Sequence, residues 1–208
     1  MSIALIQTAL ELGLFGALTT LALFLSYSML NVCDLSTDGC FTLGATVGAV
    51  VAIGGHPWLS IPAAMAAGIL SGFAVALLQT KMGINSLLAG IIVNTALYSI
   101  NIAVMDGSSV LNMNKTETVF TMARGLLEKL GLEDYNKLFV ALIAVLAAAL
   151  LLGLFLKTKL GLAIRATGNN PDMVRSSSIN PAFTITVGLC LANALTALAG
   201  GLLGQYQK

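Results

Sequence analysis

Apolar residues in this chain fall in long blocks rather than in alternation. No formal charge occurs from Leu12 to Cys33, from Gly39 to Thr80, from Met82 to Met105, from Leu138 to Leu156, or from Ser176 to Gln207. A helix that crosses a bilayer needs about 20 mostly apolar residues, which is the scale of these blocks. The Gly39–Thr80 block is too long for one helix. Its "GGHPW" stretch, Gly54 to Trp58, divides it, because paired Gly and Pro break helices and Trp suits a membrane interface. The pattern predicts six membrane segments, at 10–30, 37–53, 59–79, 84–105, 138–156 and 181–204. Their linkers are 31–36, 54–58, 80–83, 106–137 and 157–180. The expected fold class is all-α, a polytopic transmembrane helical bundle forming one domain over residues 1–208.

Composition sharpens this picture. The chain is 57% hydrophobic and 9% charged, with mean hydropathy +0.93, where a soluble domain is about 25% charged. A net charge of +1 and the lack of a basic patch with interleaved aromatics argue against a nucleic-acid partner. Residues 1–10 carry no basic region of a secretory signal. Cys33, Cys40 and Cys190 are odd in number and lie in or beside apolar segments, so they read as packing thiols, with no disulfide and no metal. The one histidine, His56, sits in a turn without thiol or carboxylate neighbours. No His-Glu-x-x-His or Gly-x-Ser-x-Gly motif is present, so an enzyme is not expected.

Orientation follows from Lys and Arg near the segment ends. The 157–180 linker holds Lys157, Lys159, Arg165 and Arg175, four of the ten basic residues, with one acid, Asp172. It is expected in the cytoplasm, as is the 80–83 turn with Lys81. The 106–137 loop and the N-terminus then lie outside, although that loop also has four basic residues, accompanied by five acids. Within it, Val119, Met122, Leu126, Leu127 and Leu130 have helical spacing, predicting an amphipathic surface helix. "GATVG" at 44–48 and "GILSG" at 68–72 are small-xxx-small patterns that let helices approach closely, within one chain or between two copies.

The 157–180 linker is sharply punctuated. "LGLAIRATG" reads as a helical continuation stopped by a left-handed cap at Gly168. Asn170 and Asn180 each precede a proline, so each suits a helix N-cap with Pro171 or Pro181 at the first helical position. Asp172 complements the dipole of the short helix that would begin there. The expected result is a rigid two-turn helix projecting from the membrane.

"LGLAIRATGNNPDMVRSSSIN" at 160–180, followed by "GLCLANALTALAGGLLGQYQ" at 188–207, resembles the coupling region and next helix of bacterial ABC importer permeases of the branched-chain amino acid, ribose and nucleoside class. "YSMLNVCDLSTDGCFTLGA" at 27–45 and "TKMGINSLLAGIIVNTALYSIN" at 80–101 are similar to the tryptophan/tyrosine-type group. The resemblance implies a bacterial cell-membrane (inner-membrane) permease subunit for a small solute, with an amino acid, and an aromatic one, favoured. Its implied partners are a second permease copy, cytoplasmic ABC ATPase subunits, and an external substrate-binding lipoprotein or periplasmic protein. Carried onto this sequence, the coupling element is Arg165, Ala166, Thr167, Gly168, Asn169, Asn170, Pro171, Asp172 and Arg175. The chain has no Gly-Lys dipeptide and hence no P-loop, so ATP would be bound by a partner subunit and no cofactor is expected here. Family members continue past the "QYQ" motif, so this chain is expected to be a truncated piece. The competing expectation is a secondary transporter or channel working without an ATPase.

Polar residues inside membrane segments are costly and tend to face a bundle interior or a cavity. Asn94, Tyr98 and Asn101 stand at i, i+4 and i+7, one face of one helix. The "NVCDLSTDG" stretch places Asn31, Asp34, Ser36, Thr37 and Asp38 in a break between two segments, with Thr42 and Asn193 as further polar positions. The expectation is that Asn31, Asp34, Thr37, Asp38, Asn94, Tyr98 and Asn101 border one translocation cavity, where an acid can meet the ammonium of an amino acid. Interhelical hydrogen bonds, or a solvated turn for the two acids, are the plainer alternatives.

Overall fold

A computed structural model describes residues 3–108, 110–113, 116–122 and 136–208. Its helices among the described residues include α1 (Ile3–Leu23), α2 (Thr37–Ile53), α3 (Pro57–Thr80), α4 (Ser86–Val104), α5 (Asn136–Leu156), α6 (Lys159–Asn169), α7 (Pro171–Ser176) and α8 (Pro181–Tyr206). α1 runs on into a π-helical turn, Phe24–Met29. Among the described residues there is no strand, and five helices are long and apolar enough to cross a membrane. α2, with 17 residues, is the shorter apolar helix. The chain is an all-α polytopic bundle, with segment limits within a few residues of those expected except at the start of α1, which begins at Ile3.

α8 is the axis. Of its most apolar stretch 56% is buried, against 17% for α5, which lies at the periphery against α1. The approach of neighbours to α8 requires residues without side chains. A methyl group at Gly44 would overlap the backbone of Ala197, and one at Gly68 would overlap the Asn193 carbonyl. Both small-xxx-small motifs therefore serve packing within the chain, and neither remains free for contact with a second copy. These pairs also give direction. Gly44 opposes Ala197 and Gly48 opposes Gly201, so α2 runs parallel to α8. Gly68 opposes Asn193 and Gly72 opposes Leu189, so α3 is antiparallel. α1 is antiparallel too, with Glu11 at Tyr206 and Leu30 at Gly188.

One end of the bundle gathers the start of α1, the Gly54–His56 turn, the Thr118–Met122 stretch and the end of α8. Tyr206 packs its ring on Phe15 and Phe120 and donates its hydroxyl to Glu11 at 2.8 Å. Gln205 donates to Ser60 Oγ at 2.7 Å and accepts from the Val119 N–H at 3.0 Å. The opposite end gathers the 81–85 turn, α6, α7 and the start of α8. This is the parity expected from the sequence. Of the amphipathic helix expected in 106–137, Val119 and Met122 fall in a helical turn, while Leu126, Leu127 and Leu130 lie outside the described residues.

Candidate functional site

The break between α1 and α2 lies inside the bundle. The π-turn widens the end of α1, Asn31 adopts a left-handed φ of 54°, and residues 31–34 leave helical geometry. Asn tolerates that conformation better than most residues. The chain then reverses into α2. Its first turn meets α8 near Asn193, about half-way along the 26 residues of α8. At 1.5 Å per residue, α8 is about 39 Å long, so the break sits deep rather than at an end.

Asp34 is the buried centre of this break, 7% exposed. Its Oδ1 accepts the Ser36 N–H at 2.8 Å, and its Oδ2 accepts Asn193 Nδ2 at 2.9 Å. Its carbonyl accepts the Thr37 hydroxyl at 3.0 Å. The Asn193 carbonyl in turn takes the Cys40 thiol at 3.3 Å. Asp34 thus starts α2 and ties it to α8. A carboxylate at such depth needs donors, and these are supplied by one amide and one backbone N–H. α4 presses on the same place, where a methyl group at Gly90 would lie 2.6 Å from the Leu35 nitrogen.

Four residues on, Asp38 has a different setting. It is exposed in the first turn of α2 and faces a cavity of about 590 Å³ between α2 and α4. Gly39, Thr42, Asn94, Thr95, Tyr98, Asn101, Ile102, Met105 and Ser108 complete the lining. The structure therefore divides the expected path. It brings Asp38, Asn94, Tyr98 and Asn101 to one cavity. It keeps Asn31, Asp34 and Thr37 out of that lining: Asn31 forms the exposed turn, while Asp34 accepts from the Ser36 N–H and the Thr37 hydroxyl in the turn before α2. The reason is directional, since Asp34 faces α8 and Asp38, past the start of the helix, faces α4. Thr95, Met105 and Ser108 were not foreseen. Met105 was legible, because it extends the Asn94, Tyr98, Asn101 series by one more helical step.

The expected coupling element is two helices, not a continuation of α5. Thr158 caps α6, accepting the Gly161 N–H at 3.3 Å. Asn170 caps α7, accepting from Asp172 and Met173 at 3.1 and 3.0 Å, and Asn180 caps α8, accepting from Ala182 at 3.0 Å. These two caps are as the Asn-Pro pairs predicted. Gly168 is not: it lies inside α6 without a left-handed φ, and the helix ends at an extended Asn170. Glycine is required there because a side chain would overlap the Met29 carbonyl at the end of the π-turn. Beside it, Thr167 is buried and shares a 2.8 Å hydrogen bond with the buried Thr184 of α8. Of the proposed coupling residues, Arg165, Asn169, Asn170, Pro171, Asp172 and Arg175 are exposed, Ala166 is half-buried, and Thr167 and Gly168 dock inward on α8 and the end of α1.

Residues 5–208 match the family described as "Branched-chain amino acid transport system / permease component". Over 195 residues the chain is 31% identical to the tyrosine transport system permease protein of Clostridioides difficile (strain R20291), covering 93% of this chain and 62% of that protein. It is 33% identical over 199 residues to an uncharacterized protein of Rickettsia prowazekii (strain Madrid E), covering 95% and 67%. It is 30% identical over 200 residues to the probable branched-chain amino acid transport permease protein LivH of Methanocaldococcus jannaschii, covering 94% and 54%. The chain thus spans about two thirds or less of these relatives. No solved structure matches it. With its apolar helices, interrupted segment and polar cavity, and a match over nearly its whole length, the chain belongs to the branched-chain amino acid transport system permease family.

Proposed function

We propose that this chain is the membrane permease subunit of a bacterial ABC importer, providing the path for an amino acid, with an aromatic one preferred. A separate ATPase drives it from the cytoplasm, and an external binding protein delivers the solute at the Tyr206 end. The observation that carries the reading is the cavity between α2 and α4. It opens on a flank of the bundle, with Asp38 and Thr42 exposed and Tyr98 69% exposed. Hydrocarbon does not tolerate a carboxylate there. A second permease copy facing this flank encloses the cavity and turns it into a path. Its volume falls in the range of small-molecule sites.

α6 and α7 fit the energy-receiving end. α7 is short, capped at Asn170, and exposes Asp172, Met173 and Arg175 for a cytoplasmic ATPase subunit. α6, joined to it at Asn170, contacts the end of α1 through Gly168 and α8 through Thr167. The aromatic preference draws on Tyr98 in the cavity and on the tyrosine-transport relative. The test is uptake into proteoliposomes by the transporter assembled with its ATPase. ATP-dependent accumulation of tyrosine, lost in Arg165→Glu/Arg175→Glu with binding-protein attachment intact, is the expected result. Uptake that proceeds equally without ATP or an ATPase subunit would replace this reading by a secondary transporter or channel.

A further inference from the structure

The cavity between α2 and α4 is one-sided in its chemistry. Its described lining holds one carboxylate, Asp38, and the amides of Asn94 and Asn101, but no Lys, Arg or His. The two amides meet the backbone at one position, Gly39, and Asp38 lines the same cavity. Asp38 precedes it, Asn101 Nδ2 donates to its carbonyl at 3.3 Å, and a methyl group added at Gly39 would lie 2.5 Å from Asn94 Oδ1. The bond to Gly39 fixes the Asn101 amide: a carbonyl only accepts, so the nitrogen faces Gly39 and the oxygen is the other end. That residue is 5% exposed, and its Oδ1 is buried without a hydrogen-bond partner. Buried acceptors in native proteins are paired, so an orphan in a cavity wall points to a donor that arrives with something else.

We infer that the solute is held by an ammonium group in this cavity, between the Asp38 carboxylate and the amide oxygens of Asn94 and Asn101. An ammonium has three donors, no acceptor and one positive charge, which matches three acceptor groups of which one is anionic. A carboxylate without an amine meets like charge at Asp38 and no base. Gly39 itself is a close contact of α2 with α4, so the ammonium lies in the cavity beside it. The inference rests on the transport reading above and states which end of the solute is recognised. An amine lacking a carboxylate is a ligand of this site, and a carboxylic acid lacking an amine is not.

The test uses Thr95→Cys, on an exposed part of the cavity wall, with Cys33, Cys40 and Cys190 replaced by serine. In vesicles carrying the assembled transporter, without ATP, the rate of modification by a small water-soluble thiol reagent is measured with L-tyrosine, tyramine or 3-(4-hydroxyphenyl)propionate. L-Tyrosine and tyramine should slow modification and the propionate should not. Adding Asp38→Asn should raise the protecting concentration about tenfold or more, the cost of a lost charge-assisted hydrogen bond. Equal protection by the propionate, protection unchanged by Asp38→Asn, or no protection by any of the three compounds overturns the inference. ATP-driven uptake is scored separately. If it is absent while the protection pattern holds, the transport reading fails and the amine site stands.

Discussion

Asp34 and Asp38 are four residues apart, and the bundle treats them in opposite ways. Asp34 is buried, accepts from Ser36 and Asn193, and joins the start of α2 to the middle of α8. Asp38 is exposed and turned to a cavity whose other walls come from α4. The difference lies in what each residue meets across the bundle, not in the residues themselves. An acid whose acceptor sites are filled by the protein holds structure; an acid facing an open cavity is available to a ligand.

Four sets of variants follow, two that break or sharpen this contrast and two that probe the contacts of α6. Asn193→Leu has the largest expected effect, because it leaves the Asp34 carboxylate deep in the bundle without its amide donor. A loss of about 3–5 kcal/mol is expected, measured by denaturant unfolding in detergent. Adding Asp34→Asn to that variant should restore most of the loss, since a neutral side chain still accepts from Ser36. If the double variant is no better, the burial of charge is not what the first removed. Asp38→Asn should change stability by under about 0.5 kcal/mol, as for other surface changes, while lowering uptake about tenfold or more at low solute concentration. A large drop in stability would show that the two acids are not divided as described.

Gly168→Ala comes next. Its methyl group would overlap the Met29 carbonyl, an overpacking expected to cost about 1–3 kcal/mol and to lower uptake more than binding-protein attachment. Full activity there would mean that α6 does not bear on the end of α1. Thr184→Val is the mildest. It leaves Thr167 without its partner on α8, worth about 1 kcal/mol, and Thr184→Ser should recover it. Equal loss in the serine variant, which keeps the hydroxyl, would mean that the hydrogen bond to Thr167 does not account for the effect.

Local features of this fold were legible in the sequence, and tertiary ones were not. The Asn170 and Asn180 caps could be read because cap, proline and first N–H groups lie within four residues. The Asn94, Tyr98 and Asn101 face could be read because helical spacing alone puts them together. Gly168 was misread because its reason lies in the Met29 carbonyl of a distant helix, and a glycine before Asn-Pro resembles a local helix stop. The different settings of Asp34 and Asp38 depend on Asn193, far along the chain. Gly44, Gly48, Gly68 and Gly72 announced close packing, but the partner they share, α8, follows only from the assembled bundle.

The Asp34–Asn193 bond joins residues separated by 159 positions, and this bears on how the protein is made. A ribosome adding roughly 5–20 residues per second takes on the order of 10–30 s to proceed from one to the other. Throughout that interval the amide meant for Asp34 does not exist, and an unpaired carboxylate is expensive to hold in hydrocarbon. The first hairpin should therefore wait in a water-accessible part of the insertion machinery until α8 emerges. In nascent chains stalled before residue 193, Ser36→Cys, with Asp34 kept and the native cysteines replaced by serine, is expected to react with a water-borne thiol reagent. In chains long enough to expose α8, that reaction should cease. α8 is thus the helix that seals the end of α1.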